Sequence, residues 1–465
     1  MASAAAPKEK ARYTTGSTMR HVLVLASTSS IGLVAIFLVD FLNLFYISLL
    51  RDPSLTAAVG YASALVFFYV SLSVGIMIAA TALVARALGA EDRPHAREVA
   101  GSALAWLTLV TGVATLASLP FVRPVLGLLG ATGDTLDTAA LFTFIVLPTT
   151  PLLGLGMCAT GLLRAVGDAK RAMYTTLWFG GIILVLDPLL ILGLGLGVPG
   201  AAIATAVARI GMVAYGLSIL VRRHDLIARP ALATMRRDFP PLARIGVPAI
   251  LTNIATPVGN GYMTAAIATY GDAAVAGWTI VSRLVPVAFG GLFALSGAVG
   301  PVVGQNFGAG LFDRVRGALN DSLKVSTIYV LVVSGLLFAA QHGIVAAFGV
   351  AGEAADLVLL FCRYLAITFL FAGGLFVSNA TFNNLNYPAL STVLNWGRAT
   401  LGTVPFVLAG AWLAGSAGAL AGFFIGGIPF GIVAMIFAYR IVGRLGRDET
   451  KAAPPTAKAA APADA

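Results

Sequence analysis

The stretches LVAIFLVDFLNLFYI (33–47) and GGIILVLDPLLIL (180–192) are apolar on both sides of a single carboxylate, Asp40 in the first and Asp187 in the second. A helix rises about 1.5 Å per residue, so roughly 20 such residues cross a hydrocarbon layer of about 30 Å. A carboxylate left alone there is costly, and function is the first reading of one that persists. The structural alternative is a carboxyl neutralised by a basic neighbour for helix packing, or one displaced towards the interface.

The same apolar character extends over the rest of the chain. With 58% hydrophobic and 11% charged residues and a mean hydropathy of +0.91, its apolar surface exceeds what a water-soluble core of this size can hide. Spans are expected at 22–47, 55–85, 99–120, 136–160, 173–196, 200–221, 243–269, 273–304, 319–340, 355–381, 389–413 and 416–439. Leu, Ala, Val and Phe run through them without strand alternation, so they predict an all-α membrane protein of about twelve helices. The even count puts both termini on one side.

Charge says which side. The net +10 could suggest nucleic acid, but Lys and Arg concentrate in alternate connections, such as Lys8 to Arg20, Arg93 and Arg97, Lys170 and Arg171, and Arg222 to Arg244. By the positive-inside rule both termini are cytoplasmic, in a multi-pass protein of the cell membrane, and no nucleic-acid partner is implied. Cys158 and Cys362 lie far apart with no ligand spacing, and the four histidines sit at connections, so neither a disulfide framework nor a metal site is predicted.

An internal repeat organises the spans. LGAEDRPHAR (88–97) aligns with FGAGLFDRVR (307–316), Gly89 matching Gly308, and LLRAVGDAKRA (162–172) aligns with TFNNLNYPALS (381–391), both at an offset of about 219. The division is a tail at 1–21, a lobe of six spans at 22–221, a cytoplasmic connection at 222–243, a second lobe at 244–445 and a disordered tail at 446–465. An even number of spans per repeat relates the lobes by a pseudo-two-fold axis along the membrane normal, with room for a site between them. The second lobe keeps the scaffold without the acids: their offsets fall near Pro257 to Gly259 and near Pro405.

Helical rise places Asp187 and Arg209 each about 13 Å below the 196–200 turn and Thr205 about 7 Å below it, with Asp40 about 12 Å inside its helix end. All four could line one pocket. Arg209 is read either as a counter-ion for an aspartate or as a residue acting in transport. For apolar and polar contact with a cargo, the candidates are Asn43, Tyr46, Trp178, Phe289, Asn379 and Asn383.

The run LLRAVGDAKRAMYTT (162–176), followed by LVLDPLLILGLGLGVPGAAIATAV (184–207), together with the Asp40 helix and LGAEDRPHAR, resembles the multidrug and toxic compound extrusion (MATE) transporters over nearly all of 20–445. The resemblance implies a twelve-helix antiporter, not an enzyme, that exchanges protons or sodium for amphipathic, usually cationic compounds. It further implies a cation site in the amino-terminal lobe, with those roles falling on Asp40, Asp187 and Thr205. Ile183 stands where the family usually has an asparagine, which removes an oxygen ligand and favours protons over sodium. No cofactor is implied, and the unit is expected to be a monomer in the bilayer. The alternatives are sodium-coupled export and flipping of a lipid-linked oligosaccharide.

Overall fold

The computed structural model describes residues 11–48 and 53–452, with the side chains of residues 40, 41, 44, 45, 48, 53, 54, 56, 64 and 446–452 outside that description. The described residues form an all-helical bundle without strands: α1 (Thr18–Ser48), α2 (Pro53–Gly89), α3 (Arg93–Ser118), α4 (Gly133–Val166), α5 (Ala169–Gly193), α6 (Gly197–Arg222), α7 (Leu232–Ala268), α8 (Asp272–Gly308), α9 (Phe312–Phe348), α10 (Glu353–Asn384), α11 (388–413) and α12 (416–452). Large apolar side chains such as Leu116, Val287 and Trp412 stand exposed on the outside, a surface that hydrocarbon covers.

Among the described residues, ten segments are long and apolar enough to cross a membrane. One of these, Pro388–Leu445, makes two crossings. It reverses at Ala414 and Gly415, where Gly415 takes a left-handed φ of 59°, which a glycine adopts without a Cβ penalty. About that point the chain folds back in register, with the backbones at Gly410 and Gly418, and at Gly402 and Gly426, close enough to exclude any side chain. Small residues on one stripe allow this close helix contact. Together with α7, these segments make twelve crossings.

Two expected boundaries differ. The 222–243 connection is helical from Leu232, so the non-helical linker is short and α7 begins ahead of the apolar stretch expected from 243. In the amino-terminal tail expected over 1–21, residues 1–10 lie outside the described residues, Arg12–Thr14 forms a helical turn and α1 begins at Thr18. Of the 446–465 tail, 453–465 lie outside the described residues.

The lobes meet symmetrically. α1 packs on α8, α2 packs on α7, and α2 crosses α8 on the axis between them. A Cβ at Gly89 would overlap the Gln305 carbonyl, and one at Gly308 would overlap the Arg86 carbonyl. Residues 86 and 305, like 89 and 308, are 219 apart. The crossing is therefore self-complementary, as an interface across a two-fold axis must be.

Candidate functional site

Asp187 ends the regular part of α5, immediately before Pro188 and a widened π turn at Pro188–Gly193. Such turns break the regular backbone ladder and recur at functional sites. The residue is 0% exposed. Asn43 of α1 donates its Nδ2 to Asp187 Oδ2 at 2.8 Å, whereas Oδ1 is buried without a partner among the described residues. Ile183 packs beside this pocket with Val39 and Ala208, so its neighbours on that side are apolar. Asn43, expected against the cargo, is instead the partner of Asp187 and tethers α1 to α5.

The Asp40 side chain lies outside the described residues. Its position on α1 is three residues before Asn43, on the same helix face. Thr205 is half-buried on α6 and makes no side-chain hydrogen bond among the described residues.

Arg209 is not paired with Asp187 among the described residues. It is 4% exposed and donates through Nη1 to the Val146 carbonyl at 2.8 Å and to Thr149 Oγ1 at 2.7 Å. These acceptors belong to a break in α4 at Leu147–Thr149. Pro148 and Pro151 lack the N–H that would continue the helix, so carbonyls are freed there. Thr150 Oγ1 takes the Leu147 carbonyl at 2.7 Å, and Arg209 takes that of Val146. The reading of Arg209 as a counter-ion for Asp187 thus gives way to one in which it closes a proline break, while the Asp40 side chain lies outside the described residues.

Between the lobes lies a cavity of about 890 Å³. Its wall runs along the first half of α1 (Thr28, Gly32, Ile36), the second halves of α2, α4, α8 and α10, and the middle of α7. Four methionines and three phenylalanines supply apolar surface, and asparagines and threonines supply polar surface. Asn379 and Asn383 of α10 line it. Arg164 of α4 is the one charged residue of its described lining, which holds no carboxylate. In the sequence Arg164 stands near a helix end among the basic residues that set topology, so its type and position alone do not mark it as a cavity residue.

Three aromatic candidates lie elsewhere. Trp178 is 53% exposed in an outward groove of α5 and α6, beside Tyr215. Phe289 is fully buried, stacked on Phe369 with centroids 3.9 Å apart. Tyr46 packs with Ile47, Val59 and Phe142. In a span that is apolar all round, sequence cannot say which face meets lipid, core or cavity.

The cavity is closed at the face that carries the amino-terminal segment. Beyond the Gly89 and Gly308 crossing, Tyr13 is wedged between the lobes, 2% exposed. Its hydroxyl donates to the Arg164 carbonyl at 3.0 Å, and its N–H donates to Gln305 Oε1 at 2.7 Å. Gln305 reaches on to the Ala165 carbonyl at 2.6 Å, and Arg314 holds the Tyr13 carbonyl at 2.9 Å. On the same face, Asp168 caps α5 and meets Arg171 at 2.7 Å and His224 at 2.9 Å. Burial alone would push this carboxyl up, but the His224 and Arg171 hydrogen bonds outweigh it and hold it well below the usual carboxylate range.

A family model described as MatE matches residues 28–189 and 248–408. The chain is 31% identical over 441 residues to a protein of Shewanella oneidensis named FAD transporter, covering 91% of this chain and 94% of that one. It is 25% identical over 325 residues to the multidrug export protein MepA of Staphylococcus aureus, covering 67% and 70%. Its fold matches solved structures of an outward-facing multidrug resistance MATE family transporter (TM-score 0.88) and of a MATE protein in a straight conformation (TM-score 0.87). Each is 22% identical, with 94% of this chain and 99% of the other covered.

Proposed function

Because this chain belongs to the MatE family of multi-pass membrane transporters, which are not enzymes, we propose that it exports amphipathic small molecules by proton-driven antiport, its two lobes exposing the cavity to each side in turn. The observation that carries this reading is the pocket of Asp187. A fully buried carboxylate keeps one oxygen, Oδ1, without a partner among the described residues, while the other is tied to α1 through Asn43. An orphaned acceptor in such a place is a proton-binding position. A sodium ion would want several oxygens, and on the side of Ile183, Val39 and Ala208 the described neighbours supply none, which favours the proton.

α1 links proton to cargo. Its second half carries Asn43 and Asp40, and its first half is a wall of the cavity at Thr28, Gly32 and Ile36. A proton on Oδ1 removes the charge that Asn43 holds, loosens the α1 to α5 tie and biases the helix between two packings, and so biases the shape of the cavity. In this reading Asp187 holds the proton, Asp40 shares or relays it, and Thr205 supplies a further oxygen from α6. The basic face closed by Tyr13 is cytoplasmic by its charge, which makes the described arrangement one that is shut to the cytoplasm. One relative bears the name of a flavin dinucleotide transporter and another that of a multidrug exporter, so kinship leaves the polarity of the cargo open between them.

The test is reconstitution into liposomes with a proton or a sodium gradient imposed separately, following uptake of a fluorescent amphipathic cargo. Uptake should follow the proton gradient alone. Uptake driven by sodium at constant pH would overturn the proton assignment, and uptake indifferent to either gradient would overturn antiport.

A further inference from the structure

Asp187 is buried away from the cavity, and the described lining contains no carboxylate. What the lining does contain is Arg164, whose guanidinium makes no hydrogen bond or ion pair among the described residues. The nearest acid in sequence, Asp168, is already engaged by Arg171 and His224. A Cβ at Gly297 of α8 would come 2.6 Å from Arg164 Nη1, so the guanidinium reaches across from one lobe to the other, and the glycine leaves it room. A second guanidinium, that of Arg398, stands behind the wall, donating to the lining residue Thr256 at 3.1 Å.

The neutral polar groups complete the pattern. Asn379 and Asn383 are one turn apart on α10. Among the described residues the Asn379 side-chain amide makes no hydrogen bond, and that of Asn383 uses only its oxygen, accepting from Ser391 at 3.4 Å. Both therefore have an NH₂ group to spare. A guanidinium with unpaired amide donors is the recognition chemistry of phosphate and carboxylate groups. The remainder of the wall, with Met77, Met157, Met173 and Met212 and the ring pair Phe293 and Phe376, is adaptable apolar surface for a flat ring.

We propose that the cavity is built for amphipathic anions, with Arg164 and the α10 amides holding a phosphate or carboxylate and the methionine and phenylalanine wall holding an aromatic or aliphatic body. The proposal deepens the export reading and rests on it for the direction of movement, but binding can be tested without transport. A soluble phosphorylated molecule and a lipid diphosphate present the same group, and the experiment distinguishes them.

Equilibrium binding to the purified protein separates the possibilities, with FAD, its uncharged relative riboflavin and the cation tetraphenylphosphonium as probes. FAD should bind at least about tenfold more tightly than riboflavin, a preference that Arg164→Gln abolishes and Arg164→Lys partly keeps. Gly297→Ala, which displaces the guanidinium without removing its charge, should weaken FAD alone. Retained riboflavin binding shows that the variants are folded. Competition by a polyprenyl diphosphate but not by FAD would keep the anion and place it on a lipid. Tighter binding of the cation than of either anion, or equal binding of FAD to the wild type and Arg164→Gln, would overturn the proposal. Anion binding without gradient-driven uptake would leave this inference standing and the export reading fallen.

Discussion

The two lobes are most alike where they touch and least alike where they carry charge. At the crossing of α2 and α8, Gly89 and Arg86 meet Gln305 and Gly308 in a contact that each lobe makes with the same positions of the other. The cavity walls repeat as well: Thr160, Gly161 and Arg164 on α4 stand 219 residues before Asn379, Ala380 and Asn383 on α10, and all six line the cavity. Yet the repeat position that holds a guanidinium in one lobe holds an amide in the other. Asp187 has Phe406 at the same offset, with no carboxylate there. In the proposed mechanism a shared scaffold provides the hinge and the container and one lobe provides the ionic chemistry, so the gate is symmetric while the driving reaction is not.

The largest expected effect breaks the lobes apart on that chemistry. Asp187→Asn should lower proton-driven uptake by about two orders of magnitude, since in the proposed mechanism Asp187 is the group that holds the proton. Phe406→Leu, at the matching place in the other lobe, should leave uptake within about twofold, as a nearly volume-conserving exchange. Parallel uptake curves for the two variants would erase the asymmetry.

The crossing gives the opposite expectation, equality. Gly89→Ala and Gly308→Ala each push a methyl group into a backbone carbonyl of the partner lobe, which cannot retreat as a flexible side chain would. Each should cost the closed arrangement about 1–3 kcal/mol. A cysteine placed in the cavity should then react faster with a reagent added from the basic face, to a similar degree in both variants. A strong effect in one and none in the other would mean that the crossing is not a two-fold gate.

Asp168 carries the smallest effect, and one confined to a single lobe. Its folded carboxyl is held low, so its stabilisation is complete above the ordinary carboxylate value of about 4 and is lost as pH falls through the folded value. Asp168→Asn should therefore cost about 1–2 kcal/mol of stability, the same at pH 8 as at pH 9, both above the ordinary imidazole range of its partner. Thermal unfolding at the two values checks this, and a loss seen only at pH 8 would contradict it.

Much of this architecture could be read from the chain. Hydropathy gave the twelve crossings because hydrocarbon admits no alternative to long apolar helices, and the 88–97 and 307–316 repeat foretold the matched glycines that turned out to form the crossing. Asp187 stood out because a carboxylate in an apolar run is rare. Facing was not legible: Trp178 turned to the outer groove and Phe289 to the core, since a helix that is apolar all round does not declare its cavity side. Asn43 was assigned to the cargo because its partner lies 144 residues away, a pairing only the packing of α1 on α5 creates. Arg164 was hidden among topological charges, although its alignment with Asn383 across the repeat was the available signal.

In the proposed mechanism the carboxyl at 187 couples the proton to movement of the cargo without itself holding the cargo. Counterflow tests it most directly: liposomes carrying Asp187→Asn, loaded with unlabelled cargo and placed in labelled cargo with no pH gradient, should exchange the two at close to the wild-type rate while failing to accumulate label when a gradient is imposed. Accumulation at the wild-type level, or loss of exchange together with accumulation, would contradict the account.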